Sequence, residues 1–182
     1  MRKIVAGLFV SLDGVYEAPG TWHFPYFNDE MGQAVGDLMA ASDAMLLGRT
    51  TYEEFAAYWP HQTSDVDLAD FMNNTPKYVV TTTLDRADWQ NSTLVKGNVA
   101  EQIADLKRQP GQAINITGSG TLVRTLLRDG LLDELHLLVH PIALGRGKHL
   151  FPDGSEQIPL ELVDSQTFAT GVMHLTYRPA AA

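Results

Sequence analysis

Met45-Leu46-Leu47-Gly48-Arg49-Thr50-Thr51-Tyr52-Glu53 is the stretch on which the reading of this chain turns. A short apolar run enters a glycine, then an arginine, then a segment with the character of a helix opening at Thr50. The first turn of a helix carries unpaired backbone N–H donors and the positive end of the macrodipole, which attract phosphate. Arg49 adds a planar, permanently charged fork suited to phosphate oxygens. The plainer alternative is an ordinary strand-to-helix junction, with Thr50 as N-cap and Glu53 closing a capping box.

A second junction of the same kind follows at Ile114-Asn115-Ile116-Thr117-Gly118-Ser119-Gly120-Thr121, leading into Leu122 to Leu127. Gly118 and Gly120 let backbone approach a ligand closely and tolerate positive φ, and Ser119 and Thr121 can cap or donate. This is not the dinucleotide fingerprint of a first strand, because Val123 stands where a third glycine would be needed. It is not a P-loop either, since no Gly-Lys-Ser/Thr follows. The pair carries more weight than either turn alone: a dinucleotide brings a pyrophosphate and can bring a further ribose phosphate.

Length and composition fit one compact domain spanning residues 1–182, with 45% hydrophobic and 19% charged residues. A net charge of −9 argues against general nucleic-acid binding and against docking on an acidic membrane. An anionic ligand would therefore need a local positive site such as the Arg49 turn. The absence of cysteine removes disulfides, thiol nucleophiles and Cys-based metal sites. The N-terminal run from Ile4 to Val10 is too short for a membrane span and lacks the marks of a cleavable leader, so it reads as a first strand in a cytoplasmic protein. The six histidines make no metal site. His136 and His140 share a strand face but lie roughly 13 Å apart at standard rise, and no His-Glu-x-x-His helix is present. No Gly-x-Ser-x-Gly elbow supports a hydrolase.

Strand and helix signals alternate. Ile4–Val10, Ala44–Leu47, Tyr78–Thr81, Ile114–Ile116 and Leu135–Val139 are short apolar runs suited to strands buried on both faces. Met31, Ala34, Val35, Leu38 and Met39 form one helical face, and Val99, Ile103 and Leu106 another that stops at Pro110-Gly111. A third helix, from Thr121, ends near Gly130. Leu160–Phe168 and Val172–Tyr177 flank Ala169-Thr170-Gly171 as an antiparallel hairpin. The fold class is α/β: a mostly parallel central sheet between helical layers, with an antiparallel C-terminal hairpin.

These marks resemble the dihydrofolate-reductase-like superfamily. Within it, the pattern is most similar to the reductase domain of the bifunctional riboflavin-biosynthesis deaminase/reductase and its stand-alone relatives. The resemblance runs nearly end to end. It rests on Ser11-Leu12-Asp13-Gly14, the Gly48–Glu53 turn, Gly118-Ser119-Gly120, and Leu132-Asp133-Glu134-Leu135 leading to Pro141–Phe151. It implies a three-layer sandwich, NADPH at the carboxyl edge of the sheet, and hydride delivery to a small heterocyclic or ribosylated substrate. It implies Gly48, Arg49 and Thr50 at the cofactor phosphates, Thr81 and Thr82 at the adenosine end, and Gly118, Ser119, Gly120 and Thr121 at the pyrophosphate. Ala6 would lie against the nicotinamide.

Two departures matter. Folate reductases carry a carboxylate shortly after a Trp-x-Leu-Pro segment; in Trp22-His23-Phe24-Pro25-Tyr26-Phe27, Phe27 falls in its place. Stand-alone relatives place an arginine after the third strand where this chain has Thr82, which leaves the ribose-phosphate contact to Arg49, with Arg86 as a substitute. The zinc motif of the partner deaminase needs cysteines, so this chain holds the reductase part alone. A folate or pterin reductase, and a nucleotide-binding module without turnover, remain the alternatives.

Asp13 is the candidate catalytic and substrate-binding carboxylate, since it follows the first strand at the proposed ligand edge; otherwise Asp13-Gly14 is only a turn. Trp22 and Phe27, with Phe24 and Tyr26, would stack on a planar substrate or else belong to the core. His140, Arg146, Lys148 and His149 would serve a substrate phosphate, a dimer interface or, the favoured reading, the structure itself. The resemblance also implies a homodimer, and the hairpin residues Val163, Phe168, Val172 and Leu175 would be an exposed edge without one.

Overall fold

β1 (Ile4–Ser11), β2 (Ser42–Gly48), β3 (Lys77–Val80), β4 (Ser92–Val95), β5 (Ala113–Ile116), β6 (Glu134–His140), β7 (Leu160–Thr167) and β8 (Met173–Pro179) form one sheet in a computed structural model that describes residues 1–180. Their order is β4-β3-β2-β5-β1-β6-β8-β7. Every pairing from β4 to β6 is parallel, and β8 runs antiparallel to both β6 and β7. The helices are α1 (Asp29–Ala40), α2 (Arg49–Tyr58), α3 (Ala69–Asn74), α4 (Val99–Arg108) and α5 (Gly120–Arg128). Among the described residues, no helix is long and apolar enough to cross a membrane.

The alternation of strand side chains builds two layers around the sheet. Ile4, Ala6, Leu8 and Val10 of β1, with Ala44 and Leu46 of β2, pack against Ile103 and Leu106 of α4 and Leu122, Val123, Leu126 and Leu127 of α5. The intervening residues Met45 and Leu47 pack with Met39 of α1, Tyr52 of α2, Met72 of α3, Val79 and Trp89 on the opposite face. A smaller cluster joins Met31 of α1 to Leu138, Phe168 and Val172. This is the three-layer sandwich of the dihydrofolate-reductase-like fold.

Three expectations change. Thr50 is not the N-cap of α2: the helix begins at Arg49, and Gly48 is the cap with no side-chain hydrogen bond. Glu53 is therefore free to pair with Arg49 rather than with a capping threonine. Phe168 and Val172 are not at an exposed edge but almost fully buried against α1; the exposed apolar residues of the hairpin are Leu162, Val163 and Met173. The sheet also holds a sixth parallel strand, β4, and a short helix, α3, that no apolar run announces. The Lys77 amine is wholly buried and donates to the carbonyl oxygens of Met72 (2.8 Å), Thr75 (2.7 Å) and Asn73 (3.3 Å), which closes the C-terminal end of α3.

Candidate functional site

The two anion-ready junctions meet. β2 and β5 are neighbours with Met45 opposite Asn115, so both strands release their chains at the same edge of the sheet. α2 then leaves on one face and α5 on the other. A Cβ on Gly48 would overlap the Ser119 hydroxyl, and one on Gly118 would stand 3.0 Å from the Thr51 side chain, so only glycines let the two turns approach this closely. Gly118 has φ +135° and Ser119 has φ +69°, and the Ser119 hydroxyl caps α5 by accepting the Leu122 N–H at 3.3 Å. Gly120 does not adopt positive φ. It is required for another reason: a Cβ there would lie 2.6 Å from the ring of Tyr16.

Beside the turns lies a cleft of about 740 Å³ on the α1/α2 face of the sheet. Gly7 and Phe9 of β1 and Asn115 of β5 line it, with Thr117 to Ser119 and Thr121 from the second turn and Thr50, Thr51 and Glu54 from α2. Leu38 and Met39 of α1, the segment Tyr16–Gly20, His23 and Phe24 complete its wall, and Lys148 stands at its mouth. Three buried polar atoms of lining residues have no hydrogen-bond partner: Asn115 Oδ1, Thr117 Oγ1 and His23 Nδ1. Such atoms cost free energy unless something pairs with them, and all three belong to residues lining this one cleft, which makes it the candidate ligand site. Its chemistry is mixed. The hydroxyls and helix N-termini of the two turns share its lining with aromatic rings and an imidazole.

Of the residues singled out in the sequence, Thr50, Gly118, Ser119 and Thr121 line the cleft, and Gly48 and Gly120 pack directly behind it. Arg49 stands half-exposed at the start of α2, its guanidinium 2.9 Å from Glu53. The Ala6 side chain points into the opposite core, and its neighbour Gly7 reaches the cleft instead. Thr81 accepts the N–H groups of Thr83 and Leu84 at 3.1 Å in a turn, and Thr82 is exposed; neither lines the cleft.

Asp13 also lies outside it. One carboxylate oxygen accepts the Ser11 hydroxyl (2.5 Å) and the Leu144 N–H (3.0 Å), and the other accepts the Gly145 N–H (2.7 Å). The Ser11 hydroxyl, then the Gly145 and Leu144 amides, hold this carboxyl far below the usual range. Asp13 ties the long loop after β6 to the end of β1. Trp22 is buried, with its indole N–H donating to the Glu17 carbonyl at 3.0 Å, while Phe27 is half-exposed beside α1. Arg86 pairs with Asp88 at 3.1 Å and lines a separate hollow of about 750 Å³ on the other side of α2. His140 is fully buried, so it meets neither a substrate phosphate nor a partner.

Sequence reading missed His23, Asn115, Thr117 and Tyr16. Asn115 did carry a signal, as the lone amide in an apolar strand where an unpaired polar residue is costly. His23 was hidden in an aromatic run that reads equally well as core.

A family model for the RibD C-terminal domain matches residues 2–174. The chain belongs to the RibD C-terminal domain family. This RibD C-terminal domain is 32% identical to Uncharacterized protein YyaP of Bacillus subtilis (strain 168), over 97% of this chain and 94% of that protein. Among solved structures, a Shewanella sp. PV-4 protein assigned provisionally to riboflavin biosynthesis superposes with TM-score 0.79 at 22% identity, with both chains covered completely. The diaminohydroxyphosphoribosylaminopyrimidine deaminase/5-amino-6-(5-phosphoribosylamino)uracil reductase of Thermotoga maritima gives 0.68 at 15% identity, over 98% of this chain and 57% of that one. Dihydrofolate reductase from Enterococcus faecalis, complexed with NADP(H), gives 0.65 at 16% identity over 98% and 97% of the two chains. These likenesses establish a shared fold.

Proposed function

We propose that this RibD C-terminal domain is an NADPH-dependent reductase acting on a small heterocyclic or ribosylated substrate of the 5-amino-6-(5-phosphoribosylamino)uracil type. One observation carries the reading: two helix N-termini on adjacent strands open onto a single cleft whose lining holds unpaired buried polar atoms. The donor set fits a dinucleotide. The N–H groups and hydroxyls of Thr50, Thr51, Ser119 and Thr121 suit a pyrophosphate, and Arg49 suits a ribose phosphate. Asn115 Oδ1 and Thr117 Oγ1, beside Gly7, suit the carboxamide of a nicotinamide. Thr81 and Thr82 would face the adenosine end from the next strand over. When bound, such a cofactor supplies hydride; the protein's part is to position the acceptor and manage the accompanying proton. Asp13 contributes by holding the Pro141–Gly147 segment against β1 beside the cleft mouth.

Folate reduction is disfavoured because Phe27, in the place of the family carboxylate, lies outside the cleft. The reading also includes a homodimer, since Glu161 to Thr167 of the edge strand β7 are exposed on both strand faces, Leu162 and Val163 among them. Fluorescence titration with NADPH, followed by NADPH oxidation with 5-amino-6-(5-phosphoribosylamino)uracil against dihydrofolate, tests the function. Saturable NADPH binding and turnover of the aminouracil are expected, and no NADPH binding refutes it. Light scattering tests assembly: the mass of a single chain at micromolar concentration removes the dimer.

A further inference from the structure

His23 is the imidazole in the cleft wall, and cofactor binding gives it no role. It is 8% exposed and stands between two aromatic rings, Phe9 with centroids 4.8 Å apart and Phe24 at 4.2 Å. His140 lies behind it, fully buried, with centroids 6.2 Å apart and planes near perpendicular. The Nδ1 of His140 is 2.8 Å from the Leu138 carbonyl oxygen. A carbonyl only accepts, so Nδ1 bears the proton and Nε2 presents a lone pair, which has no partner. Trp22 and Tyr26 fix the His140 ring edge-on at 5.0 and 5.8 Å. The result is a caged pair of imidazoles with an unpaired nitrogen on each, one ring of which reaches the cleft. Structural histidines usually have both nitrogens paired or one in water.

Resting on the reductase reading, we infer that His23 is the catalytic acid at the substrate end of the cleft, with His140 as its positioning residue. The acceptor is a carbonyl or imine carbon attached to a planar nitrogen heterocycle held between the aromatic walls. As a hydride from a reduced nicotinamide forms the new C–H bond, the π pair of the C=O or C=N moves to the heteroatom. That heteroatom takes a proton from the His23 imidazolium, and water returns one to the ring. Hydride plus proton add across one double bond, so the step balances with no further reductant. No carboxylate is required in the position of Phe27.

Burial, and then the proximity of His140, push the His23 pKa below its ordinary value. The other titratable groups sharing its surroundings are Tyr26 on the same turn, Tyr16 and Glu17 before it, Glu54 and Tyr58 from α2, and Lys148 at the mouth. Of these, Tyr26 also packs edge-on against His140, with ring centroids 5.8 Å apart.

The experiment has an arm on the wild-type protein and an arm on a variant. The imidazole resonances of His23 are followed by NMR, assigned by their loss in His23→Gln, during addition of 5-amino-6-(5-phosphoribosylamino)uracil. A shift on addition is expected, and an unmoved resonance at millimolar probe overturns the inference. In steady-state kinetics, kcat should fall as pH rises through the depressed His23 pKa. His23→Gln should lower kcat by about 100-fold or more, leave KM and NADPH affinity near wild type, and flatten that limb. A variant that keeps wild-type kcat and pH profile overturns the inference while leaving the reductase reading intact. If wild-type protein binds no NADPH, the reductase reading fails, and the catalytic role of His23 falls with it.

Discussion

Removing the Arg49 guanidinium should cost NADPH but not NADH. Arg49 is half-exposed and already paired with Glu53, one helical turn on, at 2.9 Å. An exposed pair of this kind is worth about 0–1 kcal/mol, so it does not prevent Arg49 from turning to a ribose phosphate. A hydrogen bond to a charged group contributes about 1.5–3 kcal/mol, and half-exposure places this one at the lower end. Subtracting the lost Glu53 pair leaves roughly 0.5–1.5 kcal/mol, or about two- to tenfold in affinity at about 1.4 kcal/mol per decade. Arg49→Ala is therefore expected to raise the NADPH Kd about two- to tenfold and to leave NADH at its wild-type affinity. The same geometry predicts a gain. A carboxylate about 7 Å from a phosphate charge repels it by about 0.6 kcal/mol in water, so Glu53→Gln should tighten NADPH about threefold, and high salt should erase that gain. Calorimetric titration of both cofactors against both variants settles the matter. Equal weakening of NADPH and NADH in Arg49→Ala removes the ribose-phosphate assignment, and no change in either removes the site. Weaker NADPH binding in Glu53→Gln would show that Glu53 holds Arg49 in place rather than competing for it.

Gly120→Ala puts a Cβ 2.6 Å from the Tyr16 ring, an overpacking that costs about 1–3 kcal/mol. Its Tm should fall and its NADPH affinity drop as the ring is driven toward the cleft, and both should recover in a Tyr16→Ala background; an uncoupled double mutant refutes this contact. Asp13→Asn loses one of the acceptors that hold Leu144 and Gly145, so amide exchange at those two residues should accelerate and kcat/KM should fall with NADPH affinity unchanged. Unchanged exchange would mean that Asp13 does not hold the loop. Burial holds His23, His136, His140 and His174 below their ordinary value of 6.5. The unfolded chain then binds more protons as pH falls through 6.5, so Tm should decline steadily between about pH 7 and pH 5, before the carboxylates begin to titrate. A flat Tm across that window contradicts the burial of these rings as neutral groups.

The sequence by itself determined the α/β class, the parallel order of strand and helix, and the two glycine turns, because each is written in a local pattern. Apolar runs such as Ile4–Val10 and Ile114–Ile116 are short and set off by turn residues, which suits strands buried on both faces, and Gly118-Ser119-Gly120 suits a tight entry to a helix. It could not show β4, in which only Val95 is buried and Ser92, Thr93 and Leu94 stay open at the sheet edge, too little burial to leave a hydrophobic signature. The tertiary structure alone decided which turns meet. β2 and β5 are 64 residues or more apart in the chain yet adjacent in the sheet, and strand order depends on the packing of whole layers rather than on any short stretch. The lining of the candidate cleft sorted along the same line. Thr50, Gly118, Ser119 and Thr121 were legible as parts of two strand-to-helix turns because each turn is a local pattern. Asp13, Trp22 and Phe27 had suitable chemistry but point elsewhere, because side-chain direction in the irregular segment after β1 is set by contacts with the Pro141–Gly147 segment and with α1. His23 emerged only when the fold stacked it between Phe9 of β1 and Phe24 and set His140 of β6 behind it, an arrangement drawn from three separate parts of the chain.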